Sequence, residues 1–324
     1  MFITERKLPE ELLYYRALNY RASLDKDSYD RKNRLERGFT GEQKYDEILD
    51  QTGHQNMYIF RDIYLNIGGS ITQYDALLIT ESGIAVNEIK NFTGEYRVEG
   101  SSWYTGNYIL PDDAPSQLRR AAGKLMRLRQ KLGYDFAVTG KLIFPDENFH
   151  LYSREENLWN QVVLRSEMGD YFRSFENEYS GEFASKLADL VEQHIVANPY
   201  FKLGVEFGSI RNGLYCGGCG SFYLKKQYFH FACQSCGSRE STETHLVRAM
   251  SDFKYLFGSA RMTTKRIMEF IGEMVDYRTV FRALNKYCYA EGRRKSTHYK
   301  FKYYDFDEAM RKEIPGRKYK DYLK

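Results

Sequence analysis

No segment of this chain approaches the roughly 18–20 apolar residues that a membrane-spanning helix needs. The opening, MFITERKLPEELLYYR, sets charges where a secretion signal would need an apolar centre, so a soluble cytoplasmic protein is expected. Proline is scarce, six in 324 residues, and no stretch is low in complexity, which leaves little room for a long stiff linker. Cysteine is scarce as well, yet four of the five cysteines stand close together between Cys216 and Cys236. In a chain expected in a reducing compartment, that clustering argues for a metal rather than disulfides.

What is present reads as a folded protein of two or three domains: 42% hydrophobic, 28% charged and rich in tyrosine, which often alternates with Lys or Arg. The net charge of +4 is unevenly spread. From Ser241 to Lys324 there are 19 Lys/Arg against 11 Asp/Glu, leaving 29 against 33 in the rest. A basic final quarter on an acidic body suggests that this end meets a polyanion.

Helical patterning runs from about Pro9 to Gln51, interrupted near Gly38–Gly41. From Tyr58 the period changes to strands: YIFRDIYLNI, then SITQYDALLIT, a turn at Ser82–Gly83, and IAVNEIKNF. EYRVEG and SWYTG predict two more short strands, SQLRRAAGKLMRLRQKL a helix with its leucines on one side, and FAVTGKLIFP another strand. If the chain reverses at Ser82–Gly83, Asp75 falls opposite Glu88 to Lys90, and Glu88 and Lys90, two apart, point to one face. Two carboxylates and an ammonium then converge. Phosphodiester hydrolysis needs those groups: oxygen ligands for Mg²⁺ or Mn²⁺, which activates water, and a lysine to orient that water and offset developing charge. An isolated Asp…Glu-x-Lys is weak, because ion-paired surface hairpins are common.

The surrounding residues add to it. Gly41-Glu42, QYDALLITESGIAVNEIKNFTGEY from Gln73 to Tyr96, and Pro115-Ser116-Gln117 opening a helix together resemble the nuclease-related domain (NERD) of the PD-(D/E)XK nuclease superfamily. The resemblance covers roughly Leu35 to Pro145 and implies a restriction-endonuclease-like α/β core, a mixed sheet flanked by helices. It also implies roles for Glu42, Asp75, Glu88, Lys90 and Gln117 as the catalytic set, with Asp75 and Glu88 holding the metal.

Further along, Cys216-x₂-Cys219 and Cys233-x₂-Cys236, each pair followed by glycine, flank a hairpin-like FYLKKQYFHF. Two such turns can complete a tetrahedron around a structural Zn²⁺, a small β zinc ribbon with no open position for catalysis. Tyr223, Lys225, Lys226, Tyr228 and His230 fit a nucleic-acid contact or an ordinary exposed strand. Cys288 reads as a core residue in a helical stretch. In the C-terminal segment Thr263 or Thr264 can cap one helix and Asp276 a second, and a basic turn, GRRKS, precedes an alternating strand. That order predicts a winged helix-turn-helix-like domain contacting DNA through Arg278, Arg282, Lys286, Arg293, Arg294 and Lys295.

The expected layout is an N-terminal helical segment (1–35), the nuclease domain (36–150), an α/β extension or connector (151–205), a zinc ribbon (206–240) and the basic domain (241–324). The expected function is metal-dependent cleavage of DNA, most readily double-stranded. The alternatives are a non-catalytic DNA-binding regulator on a degenerate nuclease fold, or a ribonuclease.

Overall fold

The alternating segments after Tyr58 become an antiparallel run of three strands, β1 (Tyr58–Ile67), β2 (Ser70–Thr80) and β3 (Gly83–Ile89). They follow two helices, α1 (Glu10–Arg21) and α2 (Lys26–Thr52). The short strands β4 (Gly94–Glu99), β5 (Ser102–Thr105) and β6 (Tyr108–Ile109) come next, then α3 (Ala114–Met126). β7 (Ala137–Phe144), β8 (Phe149–Ser153), β9 (Val162–Leu164) and β10 (Ile195–Val196) complete this part. The structure, a computed structural model, describes residues 3–111, 113–129, 135–202, 204–258, 260–312 and 320–323, without the side chain of Lys295.

The main sheet has the order β10-β1-β2-β3-β7-β9, and β7 and β9 run parallel to β3, so the sheet is mixed. A parallel step needs a crossover, and α3 supplies it between β3 and β7. Helices cover both faces. On one, Leu118 and Leu125 of α3 and Leu187 of the helix Glu182–Glu192 pack with Leu77, Val86 and Leu142. On the other, Tyr45 and Leu49 of α2 and Phe172 of the helix Met168–Arg173 pack with Leu78, Ala85 and Ile143. Buried Asn87 fixes α2 to the sheet, donating to the Tyr45 hydroxyl at 2.7 Å and accepting from Tyr171 at 2.7 Å. The β2–β3 turn depends on Gly83, whose φ of +136° suits glycine and where a Cβ would collide with the Ala137 carbonyl oxygen.

By its contacts the chain divides into two units, Met1–Leu8 with Asn33–Tyr200 and Pro9–Lys32 with Phe201–Lys324. Residues 1–35, expected as one helical segment, are thus shared between them. In the second unit, Ala17 and Leu18 of α1 join a core with Val247 and Met250 of the helix Thr242–Phe257. Arg21 is buried there, 3.1 Å from the Asp252 carboxylate and donating to the Gly213 carbonyl at 3.1 Å, with its guanidinium over the Phe270 ring.

This unit also holds a small sheet, β11 (Leu224–Lys226), β12 (His230–Cys233) and β13 (Arg239–Ser241), which Tyr322 extends by pairing with Arg239. The helices Thr264–Phe270 and Tyr277–Tyr287 begin at Thr263 and Asp276, whose side chains accept from the amides of Arg266 and Thr279. A hairpin, β14 (Cys288–Glu291) and β15 (His298–Phe301), then leads to the helix Phe306–Lys312. Cys288 is buried as expected but opens β14 rather than lying in a helix, because Cys288 adopts extended backbone at the helix end. Among the described residues no helix is long and apolar enough to cross a membrane.

Candidate active site and four-cysteine centre

One step beyond the Ala76–Asn87 pair, Asp75 lies opposite Glu88, and its Oδ2 accepts from the Ile89 amide at 2.8 Å. Glu88 and Lys90 continue the face that carries Val86, towards α3. Lys90 Nζ donates to Glu88 Oε1 at 2.9 Å and to Gln117 Oε1 at 2.8 Å. Gln117 reaches that far because α3 starts sharply. The Asp113 carboxylate accepts from the Ser116 amide, and Pro115 occupies the first turn, where its missing N–H costs nothing. Gly140 on β7 lets α3 lie close, since a Cβ there would sit 2.9 Å from Leu118 Cγ. Asp75, Glu88, Lys90 and Gln117 are therefore brought together at one end of the strand pair.

Glu42 approaches from α2. Gly41 makes this possible: a Cβ there would collide with the Asn91 side chain, so only glycine lets the helix meet the end of β3 at this distance. Glu42 does not stand alone, however. Arg6, which the motif did not reveal, donates to Glu42 Oε2 at 2.6 Å, to Asp46 Oδ2 at 2.8 Å and to the Asp75 carbonyl at 3.0 Å. Its side chain is 3% exposed. Residues Ile3 and Thr4 run beside β1, with the Ile3 amide donating to Ile59 and the Arg61 amide to the Thr4 hydroxyl, and so deliver Arg6 to the carboxylates. Asp46 in turn accepts an ion pair from Arg61 at 3.1 Å.

Asp62 is a second residue outside the expected set. It faces Asp75 across β1 and β2 in the one gap of their ladder, between Arg61–Ala76 and Ile63–Tyr74, and has a φ of +47°. Tyr74 and Leu77, three apart, belong to the same core, so the two-residue alternation slips at this point. Gln73 Nε2 donates to Asp62 Oδ1 at 2.9 Å.

Packing acids this closely has an electrostatic cost. Burial, joined by Asp75, lifts the Glu88 pKa to about 7 against the opposing pull of Lys90. Burial lifts Glu42 to about 8, opposed by Arg6 and reinforced by Asp75 and Asp62. Burial also raises Asp62. Arg6 moves the other way: burial works against its charge, but Glu42, Asp46 and Asp75 outweigh it and raise its pKa above the ordinary value. Carboxylates short of positive charge are hard oxygen donors suited to a divalent cation. Asp75 and Glu88, opposite each other on β2 and β3, could supply such oxygens, while the Glu42 carboxylate is engaged by Arg6.

The four cysteines form a tighter centre. Cys216 Sγ and Cys236 Sγ are 3.7 Å apart, Cys219 Sγ and Cys233 Sγ 3.6 Å, and all four lie within 4.8 Å of one another. Four thiolates about 2.3 Å from one zinc stand about 3.8 Å apart, whereas a disulfide would draw two sulfurs to about 2.05 Å. The two turns are built alike. The Gly220 amide donates to the Cys216 carbonyl at 2.8 Å, and that of Gly237 to Cys233 at 3.0 Å. Beneath them, buried Glu240 accepts from the Gly217 amide at 2.7 Å and pairs with Arg248, whose guanidinium holds the carboxyl below the ordinary range against the effect of burial. The cluster is consistent with a zinc ribbon.

On the helix Tyr277–Tyr287, Val280, Leu284 and Tyr287 are buried while Arg278 and Arg282 are exposed. Lys286 is exposed too but turns back to Glu243 Oε1 at 2.9 Å. Arg293 and Arg294 are exposed in the β14–β15 turn, and the side chain of Lys295 lies outside the described residues. Tyr223 and Tyr228, 71% and 87% exposed, flank β11.

Comparison with curated proteins and with solved structures gives no match. Residues 37–145, which contain Glu42, Asp75, Glu88, Lys90 and Gln117, match the family model described as NERD, nuclease-related domain, and by that match the chain carries a nuclease-related domain.

Proposed function

We propose that the chain is a Mg²⁺- or Mn²⁺-dependent nuclease that hydrolyses phosphodiester bonds in DNA. The observation that carries this reading is the placement of Lys90 Nζ between Glu88 Oε1 and Gln117 Oε1 beside Asp75. In the site, Glu42, Asp46, Asp50, Asp62, Asp75 and Glu88 stand against Arg6, Arg61 and Lys90, an acidic excess that a divalent ion would offset. When bound by Asp75 and Glu88, with Glu42 beside them, that ion supplies Lewis acidity to the phosphoryl oxygen and lowers the pKa of a water.

The protein's own groups do the rest. Lys90 orients the attacking water and offers a proton donor where negative charge builds on the phosphate. Gln117 is a positioning residue: its Oε1 fixes the ammonium, and its amide nitrogen can meet a phosphate oxygen. Asp75, held by the Ile89 amide, keeps β2 and β3 in the register that the site requires.

The second unit would hold the substrate. Its elements run in the order helix, single pairing residue, helix, helix and two strands, Met262 pairing with Tyr299 of β15, which is the order of a winged helix. That order supports the DNA reading, with the exposed Arg278 and Arg282 assigned to base edges, and the exposed Arg293 and Arg294, with Lys295 next to them in sequence, to the backbone. Zn²⁺ on Cys216, Cys219, Cys233 and Cys236 would be structural, and four thiolates kept reduced suit the cytoplasm.

The test is incubation with circular DNA, linear DNA and RNA, with Mg²⁺, with Mn²⁺ and without either. DNA cleavage that needs the ion is expected, and Glu88→Ala and Lys90→Ala should each abolish it while leaving the fold intact. Cleavage at wild-type rate by a clean Glu88→Ala preparation refutes the assignment. Binding without cleavage would leave a non-catalytic regulator, and preference for RNA a ribonuclease.

A further inference from the structure

Arg261, Thr263, Lys265, Arg266 and Glu269 line an open cavity of about 520 Å³ in the second unit. Three of these residues are cationic and one is acidic, and among the described residues none of the three cations is ion-paired. Arg266 instead donates to the Arg261 carbonyl at 3.4 Å, and its amide donates to the Thr263 hydroxyl at 3.2 Å, so the two arginines are tied into one local frame. All three cations are exposed.

The cavity adjoins the hairpin. The Tyr299 amide donates to the Met262 carbonyl at 2.7 Å, which makes Met262 and Tyr299 an antiparallel pair. One step from that pair, Arg261 and Lys300 take facing positions. Like charges set opposite each other across strands cost stability, and solvent alone gives the chain no reason to gather four cations here. A bound anion would offset that repulsion.

The extent of the basic surface identifies the anion. From Lys300, β15 runs only two residues back to His298, about 7 Å at roughly 3.3 Å per residue, and the tight turn Arg294–Ser296 lies just beyond that end, so the cavity, Lys300 and the turn follow one another along the hairpin. Between them the acidic Glu291 is occupied by His298 at 3.3 Å. A mononucleotide or free phosphate would fill one end of such a line, whereas a nucleic-acid strand advancing about 3.4 Å per nucleotide fills it throughout. We propose that the Arg261–Lys265–Arg266 cavity seats phosphodiester groups of a nucleic-acid backbone, extending the grip of the hairpin turn along β15. This rests on the nucleic-acid reading of the second unit given above.

The test is binding of two labelled duplexes of unrelated sequence to the full chain across a salt series, without added Mg²⁺ or Mn²⁺ so that neither is cut. Wild type is compared with the combined Arg261→Ala, Lys265→Ala, Arg266→Ala variant and with Arg261→Lys, Arg266→Lys, thermal melting serving as the fold control. The alanine variant should bind both duplexes about tenfold more weakly and flatten the dependence of log affinity on log salt by about two to three, at roughly 0.9 for each phosphate no longer neutralised. The lysine variant should keep the slope. If wild type binds with a steep salt dependence and the alanine variant matches it, the cavity does not touch the duplex although the nucleic-acid reading survives. If wild type binds neither duplex, that reading falls and the cavity's role with it. If inorganic phosphate binds wild type but not the alanine variant, and duplex affinity is unchanged, the anion is free phosphate and the proposal is overturned.

Discussion

Replacing Arg6 with Met keeps most of the apolar stem and removes the charge at the centre of the carboxylate cluster. Glu42 then loses a partner at 2.6 Å and Asp46 one at 2.8 Å, though Asp46 keeps Arg61 at 3.1 Å. Breaking a buried pair by removing one member costs about 3–5 kcal/mol, because the remaining charge stays buried without compensation. The cost depends on pH in a definite direction. Glu42 already titrates near 8 in the folded chain, above its ordinary 4.5, so its contribution is fully present below about 4.5 and is lost as pH rises through 8. Without Arg6 its pKa rises further. At pH 6 Glu42 is protonated with or without Arg6, whereas at pH 8.5 it is largely ionised only where Arg6 is present to pair with it. The loss should therefore reach about 3–5 kcal/mol at pH 8.5 and be smaller by at most about 0.8 kcal/mol at pH 6. The assay is urea unfolding followed by tryptophan fluorescence. Both tryptophans, Trp103 and Trp159, lie in the first unit, so the signal reports that unit alone. A loss below about 1 kcal/mol at pH 8.5, or one equal at both pH values, refutes the reasoning.

Two further outcomes follow from the same structure. Purified protein should carry about one zinc per chain, and Cys216→Ser should lower the metal content and loosen the second unit while the tryptophan unfolding curve stays unchanged; metal analysis and circular dichroism read this, and a zinc-free chain with a Cys216–Cys236 disulfide by mass spectrometry would overturn it. Gly41→Ala should cost about 1–3 kcal/mol by overpacking against Asn91 and should reduce metal-dependent cleavage by displacing Glu42, so unchanged unfolding would show that α2 can retreat freely.

The hairpin and its Asp75, Glu88 and Lys90 were legible because strand alternation and a Ser-Gly turn fix the register locally. Gln117 was placed only by the resemblance, since no periodicity links a helix 27 residues on to Lys90. The caps of the C-terminal helices were readable as Thr263 or Thr264 and as Asp276, whose roles are local, and Thr263 is the one that caps the first. Arg6 was not readable. It lies 36 residues before Glu42 and meets it through tertiary packing that leaves no spacing signature. The kink at Asp62 was hidden for a different reason: a positive φ at aspartate is a strained choice that the surrounding ladder enforces, and YIFRDIYLNI reads as an uninterrupted strand. Lys286, counted among the exposed cations of its helix, gave no hint of Glu243, which belongs to another helix.

The division of the chain has a consequence for its synthesis. Helix α1 emerges early but packs in the second unit, where Arg21 meets Asp252, 231 residues later in sequence. Contacts so distant are slow to close and leave early segments waiting. At about 5–20 residues per second, α1 would stay exposed on the ribosome for roughly 10–50 seconds before its partner helix is made. Arg6 and α2 have most of their partners within the first 200 residues, so the first unit can assemble before the partner helix of α1 has been made. A fragment cut to residues 37–145 would fold without Arg6, and one beginning at Phe201 would lack α1 from its core. Neither unit is one continuous stretch of chain, so neither can be cut out at a single boundary.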